Sequence, residues 1–158
     1  MALRVCGVKP GDRILANAYT LAPVPGAIHN VGAHPILVDI DENYHIDLED
    51  LDAKAAESDA KFLLLSHMRG HIADMDRVAE ICAAHGICLI EDCAHTMGAK
   101  WRGIRSGNFG KAAAFSTQTY KHMNSGEGGL LTTNDAEIAA RAVISSGSYM
   151  LYGRHGAI

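Results

Sequence analysis

The sequence lacks most of the features that would assign a chain to a class at a glance. No stretch reaches the roughly 18 consecutive apolar residues of a membrane span. No basic excess exists: 14 Lys and Arg stand against 18 Asp and Glu, for a net charge of -4 and a pI near 6.1, so there is no electrostatic footprint for nucleic acid. Cys6, Cys82, Cys88 and Cys93 form no C-x-x-C pair and read as reduced core thiols rather than disulfides or metal ligands. The segment Met1 to Cys6 is too short, and too soon interrupted by Lys9-Pro10-Gly11-Asp12, for a secretory signal. Repeats, low-complexity runs and linkers are missing too. What remains is a cytoplasmic protein of small-molecule chemistry, with no membrane or nucleic-acid partner. Its 158 residues, 48% of them hydrophobic, are enough to bury one core, and one domain is expected over 1–158.

Short β-rich runs alternate with helical patterns along the whole chain, the sequence sign of parallel strands joined by helical crossovers. The fold class read from this is α/β, a mostly parallel sheet of about six strands between helical layers. Strands are expected at 13–18, 35–39, 61–66, 87–91, 112–116 and 129–133. Runs such as Phe62-Leu63-Leu64-Leu65 are apolar without alternation, as befits strands covered on both faces. Asp74 is placed to cap a helix that Gly86 ends. Asn134 with Glu137 makes a capping box for a helix through Ile144. Leu48, Leu51 and Ala55 give a third helix one apolar stripe. Pro23 and Pro25 restrict a helix before Gly32 to a start at about Val24 or later.

In open parallel sheets chemistry gathers at the carboxyl ends of the strands. Four polar clusters fall there: Tyr19-Thr20, His67 to His71, Asp92 to His95, and Thr117 to Lys121. Lys121 lies between an apolar strand and the glycine-rich Gly126-Glu127-Gly128-Gly129. A lysine amine can form an imine with an aldehyde, a serine such as Ser116 can donate to phosphate, and a buried aspartate such as Asp92 can hold a pyridine nitrogen protonated. These are the needs of a pyridoxal-phosphate site. Each residue also has an ordinary reading: a solvated loop lysine, an aspartate that caps a loop or pairs with a lysine, a serine at a strand end. His95 could bond the cofactor's ring oxygen or serve structure alone. Gln118 could join Ser116 on phosphate, and Arg69 could grip a substrate carboxylate or phosphate. Glu91 and Asp92, being adjacent in a strand, must face opposite sides of the sheet. His67 and His71 have a metal-binding spacing, but Gly70 and the preceding strand argue against a helix, and no metal site is expected.

In order, Gly7-Val8-Lys9-Pro10-Gly11-Asp12, Val31-Gly32-Ala33, Val38-Asp39-Ile40-Asp41, Ala73-Asp74-Met75-Asp76, Glu91-Asp92-Cys93-Ala94-His95, Phe115-Ser116, Lys121 and Gly126-Glu127-Gly128-Gly129 resemble the central part of the DegT/DnrJ/EryC1/StrS family of pyridoxal-phosphate aminotransferases. The resemblance implies the large domain of a fold-type-I transferase, with Lys121 as the Schiff-base lysine and proton shuttle, Asp92 on the pyridine nitrogen, His95 on the ring oxygen and Ser116 on phosphate. It implies an amino-acid donor, commonly glutamate, and a keto-sugar-type acceptor. Relatives with histidine in place of the lysine are dehydratases, so Lys121 points to transamination.

The chain departs from the family pattern in three respects. The upstream glycine-threonine or glycine-serine segment that cradles phosphate is missing, Leu21 stands where many relatives have an aromatic ring, and the C-terminal small domain is absent. The expectation is therefore a truncated large domain whose own activity is doubtful. Its last strand should present an open edge and self-associate. The alternative is a non-catalytic, aminotransferase-like binding or assembly domain, and a metal hydrolase built on His67, His71, Asp92 or His95 is a weaker third.

Overall fold

A computed structural model describes residues 1–147. Six strands form one sheet: β1 (Arg13–Asn17), β2 (His34–Val38), β3 (Phe62–Ser66), β4 (Cys88–Asp92), and, beyond a small hairpin of β5 (Lys100–Trp101) with β6 (Ile104–Arg105), β7 (Ala112–Ser116) and β8 (Gly129–Thr132). The spatial order is β2-β1-β3-β4-β7-β8. All neighbours run parallel except β7 and β8, which are antiparallel. The hairpin is an addition to the six strands expected. Its turn, Arg102-Gly103, has φ of 46° and 88°, the positive pair that a two-residue β-turn uses to match strand twist.

Alternation along the strands sends successive side chains to opposite faces. Leu15, Leu63, Leu65 and Leu89 pack with Leu51 and Ala55 of α3 (Leu48–Glu57) and Val78, Ile81 and Cys82 of α4 (Met75–His85). Ile14, Ala16, Leu64 and Ile90 pack on the other face with Leu3 of α1 (Ala2–Val5) and Ile28 of α2 (Pro23–Asn30). The result is the expected three-layer arrangement. No helix among the described residues is long and apolar enough to cross a membrane. The four cysteines are free.

Local chemistry explains the helix ends. The Asp74 side chain accepts the Asp76 and Arg77 N–H groups, and Gly86 closes α4 in the left-handed region at φ 66°. Two ends differ from expectation. α2 begins at Pro23, one residue early, because Pro23 and Pro25 both sit in the first turn, where helical N–H groups are unpaired anyway. α5 (Ala136–Ser145) is capped by Asp135, which accepts the Glu137 and Ile138 N–H groups, and not by Asn134. The shift follows from Thr133, whose Oγ1 donates to the Lys111 carbonyl at 2.6 Å and accepts the Asp135 N–H at 3.1 Å.

Two glycines separate conformational from steric cost. A Cβ on Gly86 would meet nothing within 4 Å, so Gly86→Ala is expected to cost about 1 kcal/mol, for left-handed backbone alone. A Cβ on Gly110 would lie 2.6 Å from the Leu89 carbonyl oxygen, and Gly110→Ala is expected to cost about 3 kcal/mol. Urea unfolding midpoints at unchanged slope check the ranking.

Candidate active site

Strand β4 ends in two carboxylates that face opposite ways. Glu91 is fully buried. Its Oε1 accepts the N–H groups of Phe109 (2.9 Å) and Gly110 (2.8 Å), and its Oε2 accepts that of Gly107 (2.9 Å) and lies 3.1 Å from His67 Nε2. Burial alone would raise its pKa, but the His67 contact and the bonds from Gly107 and Gly110 outweigh burial and hold it below the usual range. Glu91 is thus an anchor for the loop that leads into β7.

Asp92 turns to the other face and is half-buried. Its Oδ2 accepts the Ser66 hydroxyl at 2.8 Å, and its Oδ1 accepts the Ala94 N–H at 3.1 Å. Ser66 and Asp92 end adjacent parallel strands in direct register. Asn17, at the end of β1, ties in the same edge: its Oδ1 accepts the Ser66 N–H at 2.9 Å, and its Nδ2 donates to the Ser66 carbonyl at 3.1 Å. Neither Ser66 nor Asn17 was expected from sequence. The signal was there in the polar last residues of two apolar strands.

His95 follows in the loop after β4. Its Nδ1 accepts the backbone N–H of Arg69 at 3.2 Å, and its Nε2 lies 2.7 Å from Lys121 Nζ. Burial, then Lys121, lower the His95 pKa, with further lowering by Arg69 and His122; Asp92 pulls the other way. The imidazole therefore feels both the amine and the carboxylate. Lys121 is half-buried, on a loop closed by its own hydrogen bonds: Thr117 N–H to the Gly128 carbonyl (3.0 Å), Ser125 N–H to the Thr117 carbonyl (2.9 Å) and Lys121 N–H to the Gln118 carbonyl (2.9 Å).

Ser116 and Gln118 flank the same strand end. Ser116 Oγ accepts the Gln118 N–H at 3.3 Å, leaving its own proton for another acceptor, while Gln118 Oε1 accepts the Tyr120 N–H at 3.1 Å. Arg69 is exposed and left-handed, with φ 58°, and here it is the backbone N–H that enters the site. Leu21 is exposed.

The paired histidines separate. His67 is buried against Glu91, whereas His71 is exposed and lies 6.1 Å from the Tyr44 ring and 5.7 Å from that of His45. His67, Glu91 and Cys93 are close enough together to consider a metal. The donor set argues against one: both Glu91 oxygens are already taken by N–H groups, and burial first, then Glu91, push the Cys93 thiol up to about 12.

Replacing Glu91 tests its anchoring role. Glu91→Gln is expected to destabilise by about 3 kcal/mol, because an amide N–H then faces donors it cannot satisfy. With a depressed folded pKa, the wild-type carboxylate contributes stability that is full above its unfolded pKa near 4.3 and is lost as pH falls through the folded value. Urea unfolding at a series of acid pH values should show that loss in the wild type and a flatter dependence in the variant.

The site can be compared with known proteins. Residues 1–155 match the DegT/DnrJ/EryC1/StrS aminotransferase family. L-glutamine:scyllo-inosose aminotransferase of Streptomyces griseus is 38% identical over 90% of this chain and 34% of its own length. GDP-perosamine synthase of Caulobacter vibrioides is 35% identical over 95% of this chain and 40% of its own. The crystal structure of 3-amino-5-hydroxybenzoic acid synthase superposes with a TM-score of 0.84 at 37% identity, covering 90% of this chain and 38% of that one. The chain therefore spans about two fifths or less of the length of these relatives. With the family match over residues 1–155 and the structural superposition in agreement, the chain belongs to the DegT/DnrJ/EryC1/StrS aminotransferase family.

Proposed function

We propose that residues 1–158 are a single domain, the lysine-bearing part of the large domain of a pyridoxal 5'-phosphate-dependent aminotransferase acting on a keto-sugar or cyclitol ketone. One observation carries the reading: Lys121 Nζ is held 2.7 Å from His95 Nε2, at the strand-end edge that also bears Asp92. The name of the Streptomyces griseus relative, with L-glutamine and scyllo-inosose, supports such an acceptor and a donor of the glutamate or glutamine kind, and that of the Caulobacter vibrioides relative supports a sugar-nucleotide setting.

The donor set suits the cofactor. Asp92 has one protein donor on each oxygen, and each oxygen retains a lone pair for a further N–H. Ser116 has a hydroxyl proton to give. Lys121 would hold the aldehyde carbon, Asp92 the ring nitrogen, His95 the ring oxygen, and Ser116 with Gln118 the phosphate. When bound, the cofactor supplies a carbonyl that captures amines and a ring that accepts electrons. Asp92 would keep a proton on the ring nitrogen by charge pairing. Lys121 would also be the group that accepts and returns the substrate α-proton, at Nζ. Ser66, by bonding Oδ2, fixes which way the Asp92 carboxylate points. Arg69, exposed beside His95, is proposed to meet the substrate's anionic end.

The open edge of β8 supports a second proposal, that the protein works as a homo-oligomer. Among the described residues β8 ends the sheet, and its Leu130 is 48% exposed; an uncovered strand edge tends to pair. Four free thiols fit a cytoplasmic setting.

Borohydride reduction of the chain with pyridoxal phosphate should leave one covalent adduct, mapped by mass spectrometry to Lys121 and missing in Lys121→Ala. Asp92→Asn should weaken cofactor binding roughly tenfold, the order of one lost charge-assisted bond. An adduct scattered over surface lysines, or none, would favour the non-catalytic alternative. Light scattering should give a mass above the monomer, shifted towards it by Leu130→Lys.

A further inference from the structure

We infer that the backbone of Arg69 sets the tautomer of His95, so that Nε2 carries the ring proton and faces the Lys121 amine as donor. The inference rests on the reading of Lys121 as the reactive amine, but its geometry stands by itself. A backbone N–H can only donate, and the Arg69 N–H points at His95 Nδ1 at 3.2 Å. A ring nitrogen that accepts carries no proton, so in a neutral imidazole the proton is on Nε2. That nitrogen lies 2.7 Å from Lys121 Nζ. A neutral amine would offer this N–H a lone pair, and that lone pair is what attacks a carbonyl carbon.

The neutral ring that this requires is favoured by the groups around it. Burial disfavours the imidazolium, as do Arg69 and His122, while Asp92 favours it. The N–H that does the selecting is held in place by a strained turn. Arg69 is a non-glycine residue at φ 58°, followed by Gly70 at φ 86°, and the turn is closed by the Gly70 N–H to the His67 carbonyl and the His71 N–H to the Met68 carbonyl, each at 3.1 Å. A Cβ on Gly70 would lie 3.4 Å from the His95 carbonyl oxygen, in a backbone conformation that a residue with a side chain rarely adopts. The root of the turn, His67, is buried against Glu91. A continuous set of contacts thus runs from Glu91 through His67 and the turn to Arg69, His95 and Lys121. Arg69 is a positioning residue, acting through its main chain. The same Nε2–H suits an anionic ring oxygen of the cofactor, so the tautomer chosen without cofactor is the one binding would need.

Nuclear magnetic resonance of the cofactor-free chain carrying ¹⁵N-labelled histidine reads the tautomer directly. His95 is assigned by the signals lost in His95→Gln. Near neutral pH, the expected result is Nδ1 in the unprotonated range and Nε2 in the protonated range, a pattern that persists as pH falls below the usual histidine value of about 6.5. Arg69→Gly keeps both the N–H and the left-handed backbone, and should leave the pattern unchanged. An Nδ1–H pattern, an averaged pair of shifts, or loss of the pattern in Arg69→Gly would overturn the inference. Failure of pyridoxal phosphate to attach would sink the proposed function without altering this measurement.

Discussion

The buried carboxylate of Glu91 is the interaction on which the rest of the site depends. An unpaired charge at that depth would be prohibitive, so the chain surrounds it: three backbone N–H groups from Gly107, Phe109 and Gly110, and the His67 ring. Those partners come from two segments on either side of β4, which pairs with both β3 and β7. His67 ends the excursion of β3, and residues 107–110 lead into β7. By gathering both, Glu91 fixes where the loop after β3 turns and where β7 begins. The sheet then carries that registration to the opposite face, where Asp92 projects.

Parallel register does the remaining assembly. Because Ser66 pairs with Asp92, the last residues of β3 and β4 reach the same edge together, and β7 continues two residues past Ala114, the partner of Asp92, to Ser116. Polar groups that would be costly inside the sheet are affordable at its end, where loops and a ligand can meet them. Asn17 shows how firmly the edge is made, since its side chain occupies both backbone groups of Ser66. The Ser66 hydroxyl then remains available to orient Asp92.

Much of this was legible in the sequence, for physical reasons that differ by residue. The six strands could be read because apolar runs covered on both faces leave an unbroken trace, and Asp74 and Gly86 because caps are local. Asp92, His95 and Lys121 stood out as reactive types at strand ends. The β5–β6 hairpin left too short a trace, its strands being two residues each. Asp135 displaced Asn134 as a cap because Thr133 bonds across to Lys111, a contact no local pattern contains. Arg69 drew notice for its guanidinium, yet it is the main-chain N–H that touches His95. A backbone donor has no signature in side-chain identity, and its aim depends on a turn shaped by Glu91 from 22 positions away along the chain.

The two halves of the site consequently rest on different foundations. Asp92 and His95 grow from β4, a central strand whose Leu89 and Ile90 lie in the two main apolar clusters. Lys121 rides on a loop held by short-range bonds, among them Thr117 Oγ1 with Ser125 Oγ at 2.7 Å and Thr119 Oγ1 to the Gly126 carbonyl at 2.9 Å. Its neighbours Tyr120 and Met123 are exposed. Such a loop opens at little cost, since few buried contacts are lost. The contact between Lys121 and His95 therefore couples a yielding element to one rooted in a rigid strand, and under the proposed function that coupling suits an amine that must be both placed and free to move.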